Sequence, residues 1–314
     1  MERDRPYDVV VIGAGAAGLN AALVLARARR AVLVCDDGTP RNASAAEMHG
    51  FVGLDGTSPA EFLARARADV LRYPTVAIHD GRVDGVRRDA AGGFRIELAS
   101  GAGEIAARRV LIATGMTDVL PQIDGLEACW GRSVFVCPYC EGWEVRDRHL
   151  AVWAPAGDAV GLAQELYQWS RHVTVFVDDS ARITSEGRRW LAAARVRVVN
   201  AALVRIAGRA GRIETLEPSS GDPIACDALF VSANLRQSSD LPERLGCEIT
   251  AGGSIRVDDC NRTSVRGAYA AGDAVTRYHQ VALAAASGVA AAIAINDDLT
   301  CDDAAKLASA EAPD

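Results

Sequence analysis

The stretch "YDVVVIGAGAAG", Tyr7–Gly18, decides the fold: a short β-branched run stops at the first of three glycines spaced G-x-G-x-x-G. The run reads as a buried strand, and the apolar positions of "LNAALVLARARR" (19–30) recur at helical spacing before a second strand, "AVLVC" (31–35). Gly13 permits a tight turn, Gly15 omits the Cβ where a pyrophosphate must approach backbone N–H groups, and Gly18 lets strand and helix pack closely. The helix then points its positive end at the phosphates. Asp36 closes the second strand roughly 20 residues on, where an acidic side chain takes ribose hydroxyls. One βαβ dinucleotide unit is the expectation.

Outward from that unit, 314 residues suit two domains, at ~150 residues per domain. Apolar residues at 49% and charged residues at 24% describe a globular chain. A formal charge of −7 without any Lys/Arg block argues against nucleic acid as a partner. The N-terminus passes from charges directly into the first strand with no signal-type segment, which reads as cytoplasmic. No apolar run reaches the ~18 residues of a membrane span. Of eight cysteines, Cys35, Cys129, Cys226, Cys247, Cys260 and Cys301 stand apart and read as single thiols, which leaves one close pair, Cys137 and Cys140.

Along the chain, Arg41–Gly56 is a long loop, 81–100 alternates about a glycine turn as antiparallel strands, and "RRVLIATG" (108–115) is another buried strand. A second strand–loop–helix–strand block starts at His149 and repeats the order of the first. The chain returns through "CDALFVSANL" and "GAYAAGDAV" to a long Ala-rich helix from about Val281, and the tail after Thr300, with Asp302 and Asp303, reads as frayed surface.

The pair lies in "VFVCPYCEGWEV", Val134–Val145. One C-x-x-C cannot close a tetrahedral zinc site, and no second pair or H-x-x-x-H exists, so no metal is expected. Two thiols at this spacing can instead close a ring and carry two electrons. Further on, "LIATG" (Leu111–Gly115) and "TSVRGAYAAGDAV" (Thr263–Val275) complete a set of four ordered motifs with the glycine turn and the cysteine pair.

That set resembles the low-molecular-weight thioredoxin reductases along nearly the whole chain. The resemblance implies an α/β two-dinucleotide-binding-domain flavoprotein: a Rossmann-like FAD domain over 1–117 and 242–314, with an inserted, smaller NAD(P)-like domain over 118–241 carrying the C-x-x-C. It implies FAD at Gly13, Gly15, Gly18, Asp36, Thr114, Gly272, Asp273 and Gln280, and a homodimer. It also implies that Cys140 faces the flavin, that Cys137 exchanges with substrate, and that Glu141 takes the place of the family's proton-shuttling acid, which is Asp there. His279, just before Gln280, is a second candidate base. His49, in "EMHGF", is a candidate pocket residue, against the plainer reading of a structural loop histidine.

The second glycine motif departs from the family. It reads Ala154-Pro155-Ala156-Gly157-Asp158-Ala159: Ala154 adds a Cβ at the turn, Pro155 deletes an N–H, and Ala156 blocks close approach to a pyrophosphate. Where the family carries His-Arg-Arg to hold a 2′-phosphate, this chain has Val177-Asp178-Asp179, which repels one. Lost nicotinamide binding, together with Cys137-Pro138-Tyr139-Cys140 and the following Gly142 and Trp143, is similar to the dithiol oxidases that close the disulfides of gliotoxin, holomycin and romidepsin. The resulting expectation is an FAD-dependent oxidase of a small-molecule dithiol with O2 as acceptor and H2O2 as product. The alternatives are a disulfide reductase fed by NADH or a protein donor, and a redox-sensing flavoprotein without turnover.

Overall fold

The computed structural model describes residues 6–90, 92–101, 103–154, 158–178 and 183–310. The chain runs through β1 (Tyr7–Ile12), α1 (Ala16–Arg27), β2 (Val32–Asp36), α2 (Pro59–Leu71), β3 (Val76–Asp80), β4 (Val83–Arg88), β5 (Phe94–Leu98), β6 (Gly103–Ile112) and β7 (Met116–Val119). It continues with α3 (Leu126–Cys129), β8 (Val134–Phe135), α4 (Pro138–Glu141), β9 (Leu150–Trp153), α5 (Ala159–Leu166), β10 (Val173–Phe176), α6 (Ser185–Ala193) and β11 (Arg197–Val199). There follow β12 (Leu203–Arg209), β13 (Arg212–Pro218), β14 (Ile224–Ala225), β15 (Ala228–Val231), β16 (Asn234–Gln237), α7 (Leu241–Leu245), β17 (Ala268–Ala270) and α8 (Val281–Ala310). Contacts divide the chain into one unit of Met1–Arg41, Pro59–Thr117 and Leu235–Asp314 and a second of Asn42–Ser58 and Asp118–Asn234. Compared with the sequence-based boundaries, 235–241 joins the first unit, and the loop 42–58 joins the second.

In the first unit the sheet runs β3-β2-β1-β6-β5-β4, with β17 also paired to β6. β1 is parallel to β2 and β6, while β4 and β5 form the antiparallel pair expected over 81–100. Successive strand residues face opposite sides. Val9, Val11, Val34 and Leu111 therefore pack under α1 and α8, and Val10, Ile12, Leu33 and Val110 pack with Phe94 and Ile96. Burial on both faces accounts for the unbroken apolar runs in the sequence.

α8 is long and apolar enough to cross a membrane by length and composition, contrary to the reading that no such segment exists, but its Ala291, Ala292, Ile295 and Leu299 are buried with α1. A Cβ on Gly288 would collide with the Ala17 carbonyl, so the two helices meet at backbone distance. Gly288→Ala is expected to lower the stability of the folded chain by about 1–3 kcal/mol through overpacking, read as a shifted urea midpoint. An unchanged midpoint would mean that the helices move apart at no cost.

The expectation of a frayed tail after Thr300 is corrected over 301–310, while 311–314 lie outside the described residues. α8 extends to Ala310, and Asp303 accepts from Arg30 and Arg108 while Asp302 accepts from Arg109. Arg108 also reaches Asp8 at 2.9 Å. Acids that look solvated in the sequence thus tie the last helix to β1, β6 and the end of α1.

In the second unit five parallel strands run β11-β10-β9-β15-β8. One face packs Leu150, Val152, Val175 and Phe230 with α5 and α6, and the other packs Ala151, Trp153, Leu229 and Val231 against β12 and β13. The second block therefore repeats the βαβ plan of the first.

Candidate active site

The first unit carries the dinucleotide cradle. Gly13 leaves β1 at φ +103°, and a Cβ there would meet the Ala113 carbonyl; a Cβ on Gly18 would strike the carbonyl of Gly13. These two glycines are required by the fold itself. Gly15 differs: it is the N-cap of α1 at φ −72°, ψ −172°, makes no side-chain cap, and has nothing within 4 Å of the place a Cβ would take. No protein atom explains that glycine. The first N–H groups of α1 lie open beside it, an arrangement that suits a phosphate.

Asp36 ends β2 and accepts the Ala14 N–H at 3.0 Å through one oxygen, while Arg67 of α2 reaches the other at 3.3 Å and also binds Asp80. An ionised carboxylate still has acceptor positions left for a ribose hydroxyl. The Thr114 hydroxyl is buried without a hydrogen-bond partner, a polar atom that a bound group would satisfy. Gly272 and Asp273 sit in a short turn after β17, with the Gly272 N–H donated to Ser287 Oγ at 3.1 Å and Asp273 paired to Arg41 at 3.2 Å. Gln280 immediately precedes α8. The open N-terminus, the unexplained Gly15 and the orphaned Thr114 hydroxyl together fit FAD. His279 belongs to this unit too, its Nε2 3.0 Å from the Thr276 carbonyl. Arg67 and Arg41 carried no signal in the sequence, because each reaches its carboxylate across a long stretch of chain.

The second unit carries the redox turn. Cys137 and Cys140 are joined as a disulfide with Cα atoms 5.3 Å apart. Cys137 caps the one-turn α4, Pro138 takes the first helical position, and the Cys137 sulfur accepts the Cys140 N–H at 3.2 Å. A sulfur at a helix N-cap is favoured as thiolate. Gly142 passes so close to the Trp169 ring that a Cβ would strike it, and Tyr139 stands edge-on to the same ring at 5.5 Å. Tyr139 and Trp143 are 70% and 64% exposed, and Arg146 covers the Trp143 ring at 4.1 Å.

Glu141 follows directly. Burial pushes its carboxyl up to about 7, the charges of Glu144 and Glu47 push the same way, and His49 opposes them. A carboxyl near neutrality can both take and return a proton in the working pH range. The loop Asn42–Ser58 brings His49 to within 3.6 Å of Glu144. The structure thus gathers Cys137, Cys140, Glu141 and His49 in one unit, and the FAD-type residues with His279 in the other.

A raised acid has a consequence for stability. The folded state resists ionising Glu141, so stability is intact below about 4.5, falls as pH rises, and is fully reduced above about 7. Glu141→Gln is expected to raise stability by about 1–2 kcal/mol at alkaline pH, after discounting for partial exposure, and to change little in acid. Urea unfolding on either side of that window checks it, and an equal effect at both ends would refute it.

The second glycine turn lies after β9. Ala154 is 2% exposed; Pro155, Ala156, Gly157 and Asp179 lie outside the described residues. Asp158 caps α5, its carboxylate accepting the Gly161 N–H at 2.8 Å. An N-cap acid occupies the donor and the positive helix end that a pyrophosphate would use. The N-cap of α1, Gly15, has by contrast no side chain to offer. The Asp158 cap could have been read from sequence as an acid starting an apolar periodic run.

Residues 7–288 match the family model described as pyridine nucleotide-disulphide oxidoreductase. The chain is 32% identical over 283 residues to thioredoxin reductase tcpT of Claviceps purpurea (strain 20.1), covering 87% of this chain and 88% of that one. Among solved structures it superposes on HlmI with a TM-score of 0.92 at 39% identity, covering 99% and 98% of the two chains. It superposes on a putative thioredoxin reductase TrxB from Bacillus anthracis with a TM-score of 0.90 at 33% identity, covering 95% and 99%.

Proposed function

We propose, from the premise that this chain belongs to the pyridine nucleotide-disulphide oxidoreductase family and is an FAD-binding enzyme of thioredoxin-reductase type, that it oxidises a small-molecule dithiol to its cyclic disulfide. The observation that carries the reading is the contrast between its two strand-to-helix turns. Gly15 leaves the N-terminus of α1 open, whereas the Asp158 carboxylate closes that of α5. A nicotinamide dinucleotide would have to displace a charge-assisted hydrogen bond and set its phosphates against a carboxylate, at a cost of several kcal/mol. Electrons therefore enter from a thiol.

One substrate thiolate attacks Cys137, the Cys137–Cys140 bond breaks, and Cys140 leaves as thiolate. Glu141 takes the proton of the second substrate thiol, whose sulfur then displaces Cys137 and closes the substrate disulfide. The cap on Cys137 stabilises it as the leaving thiolate. The exposed Tyr139 and Trp143 offer apolar surface beside the disulfide for an uncharged substrate. Bound FAD, held by Gly13, Gly15, Gly18, Asp36, Thr114, Gly272, Asp273 and Gln280, supplies the acceptor for the two electrons and, once reduced, a donor to O2 with H2O2 formed. The reading includes a homodimer in the reducing cytoplasm.

Purified holoprotein without oxygen, mixed separately with dithiothreitol, NADH and NADPH, tests this through the visible flavin absorbance. Dithiothreitol is expected to bleach the flavin, with colour and peroxide returning in air, while NADH and NADPH act at least about a hundredfold more slowly. Rapid bleaching by either nucleotide would instead identify a disulfide reductase.

A further inference from the structure

We propose that His49 is a positioning residue for proton transfer at Glu141, and that the loop Asn42–Ser58 exists at the redox turn to deliver it. The inference rests on the reading of Cys137–Cys140 as a dithiol-oxidising pair with Glu141 as its base.

His49 is not on a free loop. Met48 is buried and bridges antiparallel to Thr57, with its N–H donated to the Thr57 carbonyl at 2.9 Å and its own carbonyl accepting the Gly56 N–H at 3.0 Å. The Gly50 N–H donates to Asp55 Oδ1 at 2.9 Å, and the Leu54 N–H donates to the Phe51 carbonyl at 2.9 Å. The segment is thus closed on itself. It also meets the rest of the unit at backbone distance, since a Cβ on Gly131 would lie 2.8 Å from the Ser44 carbonyl carbon.

The imidazole, 16% exposed, projects among carboxylates from two elements. Its Nδ1 lies 3.5 Å from Asp55, and its Nε2 lies 3.7 Å from Glu47 and 3.6 Å from Glu144. Glu144 is on the chain that carries the cysteines, one residue beyond Trp143. Acting on Glu141 are Glu144, Glu47 and His49, and of these three charges only His49 favours the ionised carboxylate. Burial favours the neutral acid as well.

That balance bears on the chemistry. As the second thiol of the mixed disulfide gives its proton to Glu141, its sulfur attacks the substrate sulfur bonded to Cys137. The substrate S–S bond forms, the bond to Cys137 breaks, and Cys137 leaves as thiolate. The substrate is oxidised, the protein disulfide has become the reduced pair, and Glu141 ends as the neutral acid. Only a carboxylate can begin this step. Held by the closed loop 3.6 Å from Glu144, His49 acts through this cluster of acids and biases Glu141 toward its ionised form.

The test is single-turnover exchange. Oxidised holoprotein is mixed anaerobically with dithiothreitol between about pH 5 and 8, quenched with N-ethylmaleimide, and alkylation of Cys137 and Cys140 is counted by mass spectrometry. The dithiol's own ionisation near about 8.5 is common to every variant. The wild-type rate is expected to rise with a midpoint near 7. His49→Gln should move the midpoint up by about half to one pH unit and slow exchange at neutrality about two- to fivefold. His49→Lys should restore it, and Glu144→Gln should move it down. Opposite signs for these two positions are what a purely structural latch would not produce. If neither His49→Gln nor Glu144→Gln moves the midpoint while Glu141→Gln abolishes it, His49 has no such role and the base assignment stands. A midpoint that survives Glu141→Gln overturns the base assignment and this inference with it. Should His49→Gln fail to fold, the sign of the Glu144→Gln shift decides.

Discussion

Cys137→Ser is expected to reduce dithiol oxidation about a thousandfold or more while leaving the protein folded and yellow. A hydroxyl can still accept the Cys140 N–H that the Cys137 sulfur accepts at 3.2 Å, and serine is a better N-cap than most residues. The turn therefore survives the change, as does Pro138 at the first helical position. What is lost is the disulfide: an oxygen at 137 cannot be oxidised with Cys140, cannot form a mixed disulfide, and cannot leave as a thiolate. Oxygen uptake with dithiothreitol, beside the flavin absorbance per protein, separates loss of chemistry from loss of cofactor. Cys140→Ser should be equally inactive yet leave the Cys137 thiol free to attack an added disulfide such as oxidised glutathione, expelling one glutathione thiolate and giving a mixed disulfide that can be weighed by mass spectrometry. Retention of a tenth of the activity by Cys137→Ser would mean that electrons reach the flavin by another route.

Gly15→Val should produce a folded protein without flavin. The two neighbouring glycines cannot serve this experiment, because a Cβ on Gly13 or Gly18 runs into backbone carbonyls and would break the turn itself. At Gly15 the backbone is extended and the space beyond it is open, so an added Cβ meets no protein atom within 4 Å. It would stand instead where phosphate oxygens approach the first N–H groups of α1. Flavin affinity is expected to fall at least about a hundredfold, with far-ultraviolet circular dichroism unchanged. A yellow Gly15→Val protein at full stoichiometry would remove the α1 turn as the flavin cradle.

Parts of this chemistry were legible in the residues alone because they are local. The turn at Gly13–Gly18 depends on backbone conformation and on atoms a few residues away. The redox pair depends on two thiols three positions apart, joined across one helical turn. Alternation of apolar residues on both faces of β1, β2 and β6 follows from strand geometry. The antiparallel pair at 81–100 and the long last helix were legible for the same reason. Even the cap by Asp158 obeys a rule of short range, although its meaning for the second nucleotide turn emerged from the hydrogen bond.

Other features had no local signature. Asp302 and Asp303 read as solvated tail until Arg30, Arg108 and Arg109 were found facing them. Arg67 steadies Asp36 from a helix 31 residues on, and Arg41 meets Asp273 across 232 residues.

The sequence by itself determined the two βαβ units, the cysteine pair and the identity of the acid beside it, because backbone geometry, helix capping and ring closure act within a few residues. Only the tertiary structure decided what that acid can do. Glu141 owes its raised pKa first to burial and then to Glu144, while His49, on a loop some ninety residues earlier in the chain, pulls the other way, and burial and long-range electrostatics exist only once the chain has brought those groups together.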